Sequence, residues 1–170
     1  MKWNKKINLS AARTHDEVEE HIEDSRAVLP HLGGRVLDVG SGGGFPVLVA
    51  ARELPTVLFV ALEPIHKKHA FLREAARSLR LPNLEARCER LEDHEVVDYD
   101  VAMSRATFDL VDWLRLGSDH IRIGGKVLAF EGVARTDLPA AAIRHPYSVR
   151  GKSRAIIELI RASNTLPSPT

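Results

Sequence analysis

The chain has a single cysteine, Cys88, so it can form neither an internal disulfide nor a cysteine-rich zinc site, a usage that suits a reducing compartment. Net charge is nearly absent as well, with 24 lysines and arginines against 23 aspartates and glutamates. No overall field therefore draws the protein to nucleic acid or to a membrane surface, and any polyanion contact must come from a local patch. No uninterrupted apolar run is long enough to span a bilayer, and the charged start MKWNKKINLSAARTHDEV has no apolar stretch behind it. A P-loop is missing too. Gly151-Lys152-Ser153 copies only its end, and Pro146 stands where the motif requires its first glycine. These absences predict a soluble cytoplasmic protein with no membrane partner, expected as a monomer. At 170 residues there is room for one core but not for two comfortable ones. We expect one domain over residues 1–162, opening with an N-terminal helical segment over 1–30, and a disordered tail over 163–170.

What is present is an alternation of helix-like and strand-like stretches. Residues Asp16 to Val28 place Val18, Ile22, Ser25 and Val28 near helical spacing with acids in the first turn, and Pro30 ends that helix. Strand Arg35 to Asp38, helix Pro46 to Glu53, strand Val57 to Leu62 and helix His66 to Leu79, stopped by Pro82, follow. Then come strands Leu84 to Cys88 and Tyr99 to Met103, a helix around Thr107 to Leu116, strand Lys126 to Phe130 after Gly124-Gly125, and strand Ala155 to Ile160. The runs VLFVAL and YDVAM are almost wholly apolar, as strands are when helices cover both faces of a parallel sheet. The expected class is α/β, with a mostly parallel central sheet and helices on both faces.

The stretch RVLDVGSGGGFP, Arg35 to Pro46, runs a strand into a turn with four glycines. Such a turn lets backbone N–H groups approach a ligand that a Cβ would push away, at the end of the sheet where α/β folds bind ligands. Two cofactor classes compete for it. The dinucleotide fingerprint G-x-G-x-x-G/A fails here because Phe45 occupies the last small position. The pattern D-x-G-x-G-x-G fits, with Asp38, Gly40, Gly42 and Gly44 and with Ser41 inside the loop. An acid at the strand end is repelled by a pyrophosphate and attracted by the ammonium group of an amino-acid moiety. That sign points to S-adenosylmethionine. Strand two ends in Glu63, whose carboxylate can accept hydrogen bonds from both ribose hydroxyls. The order strand, glycine loop, helix, strand, terminal acid therefore predicts a Rossmann-like, S-adenosylmethionine-dependent methyltransferase fold.

Several stretches together resemble one family. KWNKKINL (Lys2 to Leu9), HIEDS (His21 to Ser25), VLDVGSGGGFP, HKKHAFLREAA (His66 to Ala76) and MSRA (Met103 to Ala106) occur in the order found in the RsmG, or GidB, family. The resemblance covers nearly the whole chain, and the family's usual extra N-terminal helical segment is expected to be missing from it. It implies methylation of a guanine N7 in bacterial small-subunit (16S) rRNA, with rRNA or the small ribosomal subunit as partner. It further implies that Gly40 and Phe45 line the methionine and sugar part of the cofactor pocket. Leu91 and Glu92 would border the adenine, and Arg105 would close the pocket at the end of strand four.

The residues agree with that chemistry. Pyrimidine C5 methylation needs a cysteine nucleophile, and Cys88 lies in or at the end of a strand, as a small buried apolar residue would. An exocyclic amine goes with an Asp/Asn-Pro-Pro-aromatic stretch after strand four, where this chain has Ser104-Arg105-Ala106. Guanine N7 has a free lone pair and no proton to lose, so Arg105 and Ser104 are expected to position and not to transfer protons.

Substrate candidates are weaker, and each has a plain structural alternative. Lys5 belongs to a basic stretch around Trp3 that could equally be a packed aromatic among solvated lysines. Arg150 and Lys152 sit in the basic segment RHPYSVRGKSR, either an RNA backbone contact or an ordinary hairpin. Lys67 opens a helix, where a cation opposes the dipole, and His21 is a lone histidine on an amphipathic helix. His66 and His69 share a helix face without further ligands nearby, so no metal is expected. Two positions depart from the family, Glu20 and Glu131, each an acid where the family has a base. They leave open a relative that methylates a small molecule or protein, or a module that binds cofactor or RNA without turnover.

Overall fold

The computed structural model of the chain describes residues 15–95 and 98–163. The readings of Lys5 and its basic neighbours, and of the tail beyond Ser163, lie outside the described residues. Helix α1 (His15–Arg26) is followed by a 3-10 turn at Leu29–His31, so Pro30 opens a new turn beyond the end of the helix. Strand β1 (Arg35–Val39), helix α2 (Val47–Glu53), β2 (Leu58–Leu62), α3 (His66–Ser78) and β3 (Leu84–Arg87) come next. After a 3-10 turn at Leu91–Asp93 come β4 (Tyr99–Ser104), α4 (Leu110–Ser118), β5 (Ile121–Glu131), β6 (Ile143–Val149) and β7 (Lys152–Ile160).

The seven strands form one sheet in the order β3-β2-β1-β4-β5-β7-β6. All pairs are parallel except β5 with β7 and β7 with β6. The expected mostly parallel sheet with helices on both faces is what forms, because alternate residues of each strand feed two separate cores. Val36, Phe59, Met103 and Ile156 pack with Leu48 of α2 and Leu72 of α3 on one face. Leu37, Val60, Ala102 and Ile157 pack with Trp113 and Leu114 of α4 on the other. Each of the valine, leucine, isoleucine, phenylalanine and methionine side chains among these, buried, contributes roughly 1.5–3 kcal/mol. Trp113 also satisfies its one polar atom, donating from Nε1 to the Leu128 carbonyl at 2.8 Å.

Two elements differ from expectation. β5 begins five residues earlier than predicted and runs through Gly124-Gly125 as an irregularity in its pairing with β4. β6 is a full strand that the sequence hides, since it contains Pro146 and leaves most of its side chains exposed. Proline is tolerated there because β6 is the edge of the sheet. A two-residue turn joins β6 to β7, with Arg150 at φ 48° and Gly151 at φ 76°, the left-handed pair that matches strand twist. Among the described residues no helix is long and apolar enough to cross a membrane.

β1 lies between β2 and β4, so the chain order reverses there and the carboxyl ends of β1 and β4 diverge into a crevice.

Candidate functional site

A cavity of about 740 Å³ opens at that crevice. Its floor is the glycine loop, which the end of β2 holds in place. Gly40 and Ser41 both donate their backbone N–H to the Leu62 carbonyl, at 2.9 and 3.1 Å. Glu63, only 3 % exposed, continues the clamp: Oε2 accepts from Gly42 N at 2.8 Å and Oε1 from Ile65 N at 2.9 Å. Each carboxylate oxygen keeps a second lone pair. The Ser41 hydroxyl is spent within the loop, donating to the Asp38 carbonyl at 3.2 Å.

The glycines do different work. Gly42 lines the cavity at φ +52°, and a Cβ there would meet nothing nearer than the Gly40 carbonyl at 3.7 Å. It keeps a cradle clear. At Gly44 a Cβ would fall 2.2 Å from Leu48 Cδ1, so this glycine admits helix α2 against the loop and does not line the cavity. Gly43 takes that place in the lining.

Behind the loop, Asp38 is 1 % exposed and its Oδ2 has no hydrogen-bond partner. Burial pushes its carboxyl up to about 7, against the opposing pull of Ser41 and Arg105. A buried carboxylate in that state calls for a cation.

The opposite wall is built around Arg105, one residue beyond β4. Its side chain is 18 % exposed, and the guanidinium donates from Nη1 to Asp24 Oδ2 at 3.0 Å and lies 5.9 Å from the centre of the Phe45 ring. His21 packs against Phe45 with ring centroids 5.4 Å apart, and its Nδ1 is 3.5 Å from Arg105 Nη2. Burial, reinforced by Arg105, holds the His21 imidazole below its usual pKa, so it is neutral at pH 7. Asp24 is buried and ties three elements together: it also accepts from the Tyr147 hydroxyl at 2.7 Å and pairs with Arg154 Nη1 at 2.7 Å. Burial, then that hydrogen bond to Asp24, raises the Tyr147 phenol. The salt bridge to Asp24 is what aims Arg105.

Other expected residues fall elsewhere. Ser104 borders the cavity, but its hydroxyl donates to the Val39 carbonyl at 2.8 Å and joins β4 to β1. Leu91 is buried in the second core and Glu92 is exposed, and neither lines the cavity. Lys67 is exposed, while its neighbour Lys68 reaches the cavity instead. Arg150 pairs with Glu19 and Glu23 at 3.4 Å, and Lys152 with Glu20 at 2.8 Å. The basic hairpin is therefore neutralised by helix α1. The two departures from the family, Glu20 and Glu131, are both paired acids. Glu20 also pairs with Arg154. Glu131, at the end of β5, accepts from Nε and Nη2 of Arg144 at 2.8 and 2.9 Å and from the Arg135 backbone N–H at 2.8 Å. Cys88 lies just past β3, only partly buried, with Sγ 3.3 Å from His66 Nδ1.

Sequence reasoning missed Asp24, Tyr147, Arg154 and Ile65 as cavity residues. Asp24 lies inside the HIEDS stretch, and Tyr147 and Arg154 lie inside RHPYSVRGKSR, so only Ile65 left no local signal.

The sequence model of the GidB family, rRNA small subunit methyltransferase G, matches residues 1–160. The ribosomal RNA small subunit methyltransferase G of Myxococcus xanthus is 40 % identical over 149 residues, covering 84 % of this chain and 69 % of that protein. That of Laribacter hongkongensis is 42 % identical over 135 residues, covering 78 % and 65 %. The chain thus spans about two thirds of the length of these relatives. Among solved structures, a SAM-dependent methyltransferase from Aquifex aeolicus superposes with a TM-score of 0.65 at 16 % identity over 94 % of this chain and 97 % of that one, a likeness of fold.

Proposed function

Because the chain belongs to the rRNA small subunit methyltransferase G family, we propose that it binds S-adenosylmethionine in the cavity at the end of β1 and methylates N7 of a guanine in small-subunit (16S) rRNA. The observation that carries the cofactor assignment is Asp38 Oδ2, buried without a partner in β1 two residues before the glycine loop; Asp38 is not itself in the cavity lining, whose Gly42 leaves an open cradle. An α-ammonium group supplies the cation that this carboxylate lacks. The two remaining lone pairs of Glu63 suit a vicinal pair of ribose hydroxyls. Ile65, half exposed at the cavity, and Phe45 offer apolar faces to a ring system.

Bound there, the cofactor supplies an electrophilic methyl group on sulfur. The protein's task is then to bring a nucleophile into line and keep water out. N7 attacks with its own lone pair, so no side chain has to remove a proton, and His21, neutral at pH 7, packs on Phe45 and serves as a wall. Arg105 is the positioning residue. Asp24 fixes its Nη1, while Nη2 stands 3.5 Å from His21 Nδ1, and the guanidinium N–H groups not held by Asp24 suit a guanine carbonyl or a phosphate. Lys67 and Lys68, at the start of α3, are the basic side chains next to the cavity mouth that suit the rRNA backbone. Arg150 and Lys152 are less suited, being already paired with α1.

Labelled S-adenosylmethionine, the purified chain, and small subunits or their stripped rRNA from a strain lacking the modification test the proposal. A 7-methylguanine product identified by mass spectrometry is expected. Cofactor binding without transfer to either substrate refutes the rRNA assignment, and absence of cofactor binding refutes both halves.

A further inference from the structure

Outside the cavity, three side chains from distant parts of the chain converge: His31 of the 3-10 turn after α1, His145 of β6 and Glu158 of β7. Their ligand-capable atoms all lie within 4.8 Å of one another. None lines the cavity. Glu158 pairs in register with Leu128 of β5, three residues before Glu131, which sets the cluster roughly 10 Å back along the sheet from the cavity rim.

We propose that His31, His145 and Glu158 form a binding site for a divalent transition-metal ion of the zinc class. The first argument is spacing. Zinc bonds to nitrogen and oxygen of about 2.0–2.1 Å, arranged tetrahedrally, place neighbouring ligand atoms about 3.4 Å apart. Glu158 Oε2 lies 3.3 Å from His31 Nδ1 and 3.5 Å from His145 Nε2, and the two imidazoles, tilted by 49°, have centroids 4.4 Å apart. The second argument is satisfaction. At 3.5 Å the His145 contact is too long to be a good hydrogen bond, and His145 Nε2 is buried with no partner. An ion between the three groups would occupy its lone pair. Third, the donor types match, since two imidazoles and one carboxylate are a zinc ligand set that leaves a fourth position for water.

The neighbouring charge is Lys126 on β5, whose Nζ is 3.6 Å from the same Glu158 oxygen. It balances Glu158 in the absence of an ion, and with its side chain 33 % exposed it can turn to solvent when one arrives. The consequence reaches the cavity wall. The ion would staple the turn after α1 to the β6–β7 hairpin; α1 carries Asp24, which holds Arg105, and the hairpin carries Tyr147 and Arg154, which hold Asp24.

The test is calorimetric titration of Zn²⁺ alone into the metal-free full chain at neutral pH, with Co²⁺ as a spectroscopic probe. We expect one equivalent to bind and bound Co²⁺ to show the intense visible bands of a four-coordinate ion. His145→Ala, at a partly exposed position, and the near-isosteric Glu158→Gln should each weaken Zn²⁺ binding at least about tenfold with unchanged circular dichroism. Cys88→Ala should leave binding unchanged. The proposal is overturned if the native chain binds no Zn²⁺, if either ligand variant binds as tightly as the native chain, or if Cys88→Ala abolishes binding and so moves the ion to the Cys88–His66 pair.

Discussion

Replacing Asp38 by asparagine separates the price of a buried carboxylate from its use. In the cofactor-free protein its carboxyl is pushed up to about 7 from an ordinary 3.8, chiefly by burial. Between those values the folded protein holds a proton that the unfolded chain has released. Stability therefore falls as pH rises through this window, and the loss is complete above about 7. The shift from 3.8 to about 7 sets a ceiling of about 4 kcal/mol on that loss. Other groups titrate nearby with the opposite sign. His21, His31 and His120 are held low by burial, so the folded state sheds their protons first and stability rises with pH toward about 6.5. Comparing Asp38→Asn with the native chain cancels those histidines and leaves Asp38. Urea unfolding at a series of pH values should show the variant gaining on the native protein by up to about 4 kcal/mol from about pH 4 to about pH 8. Cofactor titration should show the reverse. The variant binds more weakly, and the proton that the native site releases near pH 7 on meeting an ammonium group is missing from it. A stability difference that stays flat across the pH range would refute the reasoning, because Asp38 would then be no more costly folded than unfolded.

Three further substitutions probe the same site. Gly42→Val puts a branched side chain at φ +52° into the open cradle, and should abolish cofactor binding in calorimetry while costing about 1–2 kcal/mol of stability. Native-like affinity would show that no ligand passes there. Glu63→Ala removes the acceptor of Gly42 N and the proposed ribose contacts, and should weaken cofactor binding by about 1–3 kcal/mol. An unchanged titration would remove Glu63 from the site. Arg105→Ala should lower the rate of methyl transfer by a larger factor than it lowers cofactor affinity, and equal losses would make it a cofactor residue only.

The cofactor half of the site was legible because its chemistry is local. The bare backbone from Gly40 to Gly44, the acid that closes β1 and the acid that closes β2 are each defined by their position in a strand-turn-helix unit, and Phe45 excluded the dinucleotide alternative. Even there, two glycines of one motif proved unlike. Gly42 faces a cavity and Gly44 faces Leu48, and spacing alone treats them the same. Leu91 could be matched to a family position but not weighed against the core that claims its side chain. β6 escaped because an edge strand with one covered face and a proline lacks the apolar run that betrays a buried strand.

What the sequence determined by itself, then, is the α/β alternation and the glycine cradle, since backbone conformation and strand burial are written in neighbouring residues. What only the tertiary structure decided is how charges far apart in the chain pair off. Arg150 and Lys152 meet the acids of α1 across more than 120 residues, Glu131 locks onto Arg144, and Asp24 collects Arg105, Tyr147 and Arg154. His31, His145 and Glu158 converge in the same way. A charge read along a chain has only a sign. Its partner, and hence whether it is a surface for RNA or an internal strut, is set by the packing of the β6–β7 hairpin against helix α1.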